Sequence, residues 1–138
     1  MPFSPLTPVF DNAAGELFSH PRVYAVLRLR PAPWGVAELA ALVTRLSQLL
    51  MARDWHRLLT DTRQIPVLSA ECKSWMATQW MGGGLPRPVP LYQAMLHPPE
   101  VFARLAVAEV QAQAPASAHY QYFDNEAAAH AYLAQLPG

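Results

Sequence analysis

VYAVLRLR at Val23–Arg30, VAELAALVTRLSQLLMAR at Val36–Arg53 and HRLLTD at His56–Asp61 together decide the fold. The first run alternates Val26, Arg28 and Arg30 against Leu27 and Leu29 and is rich in β-formers, which predicts a half-buried strand. Pro31, Pro33 and Gly35 end it. Leu39, Leu42, Val43, Leu46, Leu49 and Leu50 then recur at helical spacing, the pattern of a helix with one apolar face. The third run is short and apolar, and it reads as a second strand. Two strands joined by a helix imply a parallel crossover.

The chain on either side extends this unit. Upstream, the first ten residues carry Pro2, Pro5 and Pro8. Proline cannot donate to a central ladder, so this segment is expected as an edge strand or arm. Ala14–Phe18 reads as a short strand, and the turn at Ser19–Arg22 makes the Val23–Arg30 strand half of a hairpin. Downstream, Ser69 is a good N-cap, with Glu71 in the first turn, for a helix through Trp80. Gly82, Gly83 and Gly84 stop that helix. After Pro86, Pro88 and Pro90, Leu91–Leu96 reads as a strand. Pro98 and Pro99 suit the first turn of a helix carrying Val101, Phe102, Leu105, Ala106 and Val110, and Pro115 ends it. A last strand, His119–Phe123, meets Asp124, the expected N-cap of a helix presenting Ala129, Tyr132, Leu133 and Leu136. The expected fold is therefore a single α/β domain over 1–138: a mixed sheet with a leading antiparallel hairpin, then βαβ units, and about four helices.

Composition bounds the function. Ten Lys and Arg balance ten Asp and Glu, only 14% of the 138 residues are charged, and 52% are hydrophobic. A phosphate backbone is held by concentrated positive charge, and the densest basic cluster, Arg22, Arg28 and Arg30, lies in and beside an apolar strand. This argues against nucleic acid as a partner. A neutral chain has little self-repulsion, so a homodimer is among the expected forms. Cys72 is the only cysteine and allows no internal disulfide. The N-terminus lacks a basic start followed by an apolar run, and Val36–Met51 is too short and too polar for a membrane span. A cytoplasmic protein without membrane insertion is the expectation.

The candidate chemistry is sparse. A phosphate loop places its glycines before a helix and follows them with Lys and a hydroxyl; Gly82–Gly84 close a helix and run into Leu85, Pro86 and Arg87. The five histidines are scattered without metal-site spacing, so neither a metal nor a cofactor is expected. No Gly-x-Ser-x-Gly elbow is present. Asp61 ends a central strand, where open α/β sheets place their sites, with Thr62, Arg63 and Ser69 in the loop beyond. It reads either as a ligand contact or switch site, or as an acid that caps the turn and pairs with Arg63 or Arg57. Trp75, Met76, Gln79 and Trp80 share a helical face with Cys72, which suits a core. Aromatic and Met enrichment also describes an interface centre.

The element order resembles the STAS family, the fold of bacterial anti-sigma-factor antagonists, over roughly Phe10 to Leu136. Three stretches carry the resemblance: Leu58-Leu59-Thr60-Asp61-Thr62-Arg63, Val101-Phe102-Ala103-Arg104-Leu105, and Tyr122-Phe123-Asp124-Asn125-Glu126-Ala127 before Ala131-Tyr132-Leu133. The resemblance implies a regulatory, non-enzymatic domain that binds a protein partner. Family antagonists are switched by phosphorylation of a serine in an Asp-Ser-Ser-Gly-like turn, which falls here at Ser69-Ala70-Glu71; the acidic residue, second serine and glycine are not reproduced. The leading expectation is an interaction module presenting Trp75, Gln79, Trp80 and Arg87, with Asp61, Arg63 and Ser69 as a strand-end or switch site. A carrier of a small apolar ligand, similar to the lipid-transfer CRAL-TRIO fold, is the alternative. An enzyme built on Asp61, Arg63 and a neighbouring histidine comes third.

Overall fold

The computed structural model describes residues 6–31, 34–65, 69–96 and 119–136, with 98, 101, 104, 105 and 108 singly. The chain runs β1 (Thr7–Asn12), β2 (Gly15–His20), β3 (Tyr24–Leu29), α1 (Val36–Arg53), β4 (Arg57–Asp61), α2 (Ala70–Trp75), β5 (Tyr92–Leu96), β6 (His119–Phe123) and α3 (Glu126–Gln135). The six strands form one sheet in sequence order. β2 pairs antiparallel with both β1 and β3, and β3, β4, β5 and β6 run parallel. The α/β class and the mixed sheet thus follow the sequence reading. Three helices stand among the described residues; the expected one from Pro98 to Val110 lies for the most part outside them.

Alternation along β3 distributes the core over both faces of the sheet. Ala25, Leu27 and Leu29 pack with Leu39, Leu42, Val43, Leu46 and Leu50 of α1. Tyr24 and Val26 join Leu59, Ala94 and Leu96 beneath Ala129 and Leu133 of α3. β3, β4 and β5 are buried on both sides, which is why these strands read as short, mostly apolar runs without strict alternation.

Two expectations need correction. The helix begun at Ser69 is α-helical only to Trp75, and Met76–Met81 continue it as a π-helical segment. The last helix is capped by Asn125, whose side chain accepts from the Ala128 amide at 2.8 Å, and not by Asp124. Both residues are good cap formers, so composition alone could not choose between neighbours.

Gly15 has no room for a side chain in the β2–β3 pairing. A Cβ there would lie 2.2 Å from the Arg28 carbonyl oxygen. Backbone cannot swing aside as a side chain can, so Gly15→Ala is expected to cost about 3 kcal/mol, the upper end for an overpacked site, read from the urea midpoint at unchanged m-value.

Candidate functional site

Parallel pairing brings the carboxyl ends of β3, β4 and β5 to one edge, with Asp61 level with Arg28 and Leu96. Asp61 is 7% exposed, and Arg63 takes up its carboxylate. Oδ1 accepts from the Arg63 amide and from Nε, both at 3.0 Å, and Oδ2 accepts from Nη2 at 2.7 Å. Arg63 also lies 3.6 Å from Glu126 Oε2, while Glu126 Oε1 accepts from Arg28 Nη2 at 3.0 Å. The result is a chain of alternating charges, Asp61–Arg63–Glu126–Arg28. The Asp61 hydrogen bond raises the guanidinium pKa of Arg63 further above its ordinary value. A carboxylate so committed is a poor general base, because a base must reach its proton with a free oxygen. Asp61 caps its turn and pairs with Arg63, one of the two readings the sequence allowed.

Ser69 is exposed and caps α2, its Oγ accepting from the Cys72 amide at 3.0 Å. Pro66, Val67 and Leu68, which separate it from the Asp61 turn, lie outside the described residues.

The expected interaction surface separates into two levels. Trp80 is only 3% exposed and belongs to the core cluster with Cys72, Leu46 and Leu50. It therefore cannot offer its ring to a partner, and its large apolar area explains why. Trp75 and Gln79 are half-buried. Arg87 lies over Trp80 with its guanidinium carbon 5.4 Å from the ring centroid, within cation–π range. Its Nη1 is buried without a hydrogen-bond acceptor among the described residues, and burial lowers the guanidinium pKa. Its loop is tied down on both sides. The Ser47 hydroxyl of α1 donates to the Pro86 carbonyl, and His56 Nδ1 lies 2.6 Å from the Pro90 carbonyl oxygen. Gly83, at φ 83°, makes the left-handed step that turns the chain out of the helix.

A third cluster escaped the sequence reading. His20 stands opposite Tyr24 in the β2–β3 register, and the two rings stack at 4.3 Å with 10° between their planes. The Tyr24 hydroxyl is hydrogen-bonded to His130 Nδ1 of α3, and the two imidazoles lie 5.3 Å apart. Burial pushes the Tyr24 phenol up to about 12. It also lowers both imidazoles, His20 to about 4. A hairpin reading that ended β2 at His20 rather than Phe18 would have paired His20 with Tyr24. Nothing in the sequence marks His130 as their neighbour.

An open depression of about 320 Å³ crosses β1 and β2, lined by Pro8, Val9, Phe10, Asp11, Glu16, Leu17 and Phe18. Among the described residues no group of three or more His, Cys, Asp or Glu could hold a metal ion, and no helix is long and apolar enough to cross a membrane.

No family model matches the chain. Neither a curated protein nor a solved structure matches it.

Proposed function

We propose that the chain is a cytoplasmic, non-enzymatic interaction domain of STAS-like fold that binds a protein partner through Arg87 and the loop carrying it. The supporting observation is the guanidinium set over a buried tryptophan on a tethered loop, with no acceptor among the described residues. A buried polar nitrogen normally has a partner. Arginine and tryptophan are also the residues most enriched where interfaces concentrate their energy. A carboxylate on the partner would complete the site, since a planar guanidinium matches it in a two-pronged hydrogen bond. Val89, 81% exposed two residues on, adds apolar area beside it. The Asp61–Arg63 pairing favours this reading over an enzyme, because the best-placed acid is already engaged.

The alternative, a carrier of a small apolar ligand, has weaker support. The depression over β1 and β2 is open and carries two carboxylates, Asp11 and Glu16, whereas carriers enclose their cargo among apolar side chains.

The test compares affinity capture by the wild-type chain with capture by Arg87→Glu, each quantified by mass spectrometry. Loss of a central arginine contact costs about 2 kcal/mol or more, so partner recovery is expected to fall about 30-fold. The thermal midpoint should stay within a few degrees of wild type. A second copy of the chain is tested as the partner by sedimentation of both proteins. Equal recovery and equal sedimentation by Arg87→Glu would remove this surface.

A further inference from the structure

We propose that His20, Tyr24 and His130 form an acid-released latch that holds α3 on the sheet while the two imidazoles are neutral. The inference is independent of the partner surface, which involves neither α3 nor the β2–β3 turn.

The latch joins three elements far apart in sequence. His20 ends β2, Tyr24 begins β3, and His130 sits in the middle of α3. Each imidazole is bound in a way that suits its neutral form. His20 Nδ1 accepts from the Arg22 amide at 3.1 Å; a proton placed there would set two donors against each other. His130 Nδ1 meets the Tyr24 hydroxyl, which can act as donor or acceptor, so this bond survives protonation only by reversing. The greater obstacle is burial, and the surrounding charge adds to it at His20.

The groups facing His20 are His130 from α3, Arg22 from the turn and Arg57 from β4, all of which disfavour its protonation. Arg57 lies with its guanidinium carbon 5.7 Å from the Tyr24 ring centroid. Around His130, Arg28 of β3 disfavours a proton and Glu126, one helical turn back, favours it. Glu126 already serves both Arg28 and Arg63. Two imidazolium charges 5.3 Å apart, with one shared carboxylate on their side, would push α3 from the hairpin.

α3 is suited to release. It is ten residues long and commits two fully buried side chains, Ala129 and Leu133. Its departure uncovers an apolar strip made by Tyr24, Val26, Leu59, Ala94 and Leu96. Local openings of this kind occur where few apolar contacts hold an element.

The direction follows from linkage. Both imidazoles have folded-state pKa values below the ordinary 6.5, so the latch is at full strength above 6.5. It weakens as pH falls from 6.5 toward the value of about 4 for His20.

Hydrogen exchange followed by mass spectrometry at pH 7 and pH 5, corrected for intrinsic rates, tests the proposal. Opening of Glu126–Gln135 is expected to increase about tenfold relative to Leu39–Leu50, a figure discounted for the solvent reaching both rings. His20→Asn with His130→Gln should abolish that ratio, because amides hydrogen-bond without titrating. Should the double variant not fold, NMR titration of wild type replaces it, with His20 expected to titrate below pH 5 and His130 below 6.5. An unchanged α3 at pH 5 would overturn the latch. So would an equal increase in α1, persistence of the ratio in the variant, or ordinary titration near 6.5.

Discussion

Arg57→Ala is expected to destabilise the fold by about 3–4 kcal/mol, since several buried carbonyls lose a charged donor at about 1–3 kcal/mol each. Arg57 is 5% exposed, yet no carboxylate meets it among the described residues. Its guanidinium instead gathers backbone carbonyls: Nη1 donates to Leu133 at 2.8 Å, and Nη2 donates to Arg22 and, at 3.4 Å, to Val23. Leu133 lies in the last turn of α3, where a cation is favoured. Val23 adopts φ 63°, a left-handed conformation that a β-branched residue rarely takes and that persists only under external restraint. Alanine would thus take the charged donor from a helix-end carbonyl, leaving it only the Leu136 amide at 3.3 Å, release a strained turn and leave a cavity. Arg57→Lys, a point charge with the same sign, is expected to recover only part of the loss. The check is urea unfolding at pH 7.5, where His20 and His130 are neutral in both states. A loss below 1 kcal/mol for alanine would show that the carbonyls find water instead.

The role of Arg57 was not legible in the sequence, and the reason is instructive. Periodicity reports which residues face a neighbour, and it served well for α1, where every residue of the predicted apolar stripe packs into or against the core. It also found five of the six described strands, four of them within about a residue of their bounds, because turns and prolines bracket them, and left the first as an edge strand or arm. A charged residue opening a short apolar run reads as a strand boundary facing water. That Arg57 points inward follows from the parallel register, which sets it in the same layer as Tyr24 and beneath the end of α3. Tertiary pairing of this sort leaves no mark on local sequence. The Asp61–Arg63 pair was legible because it is local, two residues apart. The His20–Tyr24–His130 cluster was not, because 106 residues separate Tyr24 from His130.

Trp80 shows the opposite error and supports the second large prediction. A tryptophan beside three glycines invites a surface reading, since aromatic rings near mobile loops often mark binding sites. Here the glycines serve to turn the chain so that the ring can stay inside. The Leu85 amide returns to the Gln79 carbonyl at 2.7 Å and the Gly84 amide to Thr78 at 3.3 Å, folding the loop back over the helix end. Trp80→Ala is therefore expected to cost about 3–5 kcal/mol, the range for emptying a large buried aromatic site. Partner capture would vanish with the fold and say nothing about the surface. Trp80→Phe separates the two roles. It keeps an aromatic ring under Arg87 and should cost no more than about 2 kcal/mol, leaving the protein folded at 25 °C. Phenylalanine offers the guanidinium a weaker face than indole, so capture by Trp80→Phe should fall between wild type and Arg87→Glu. If Trp80→Phe captured as poorly as Arg87→Glu while staying folded, the indole itself would be the recognised group. If it captured as well as wild type, the ring would serve only as core, and the arginine would owe its position to the Ser47 and His56 tethers alone.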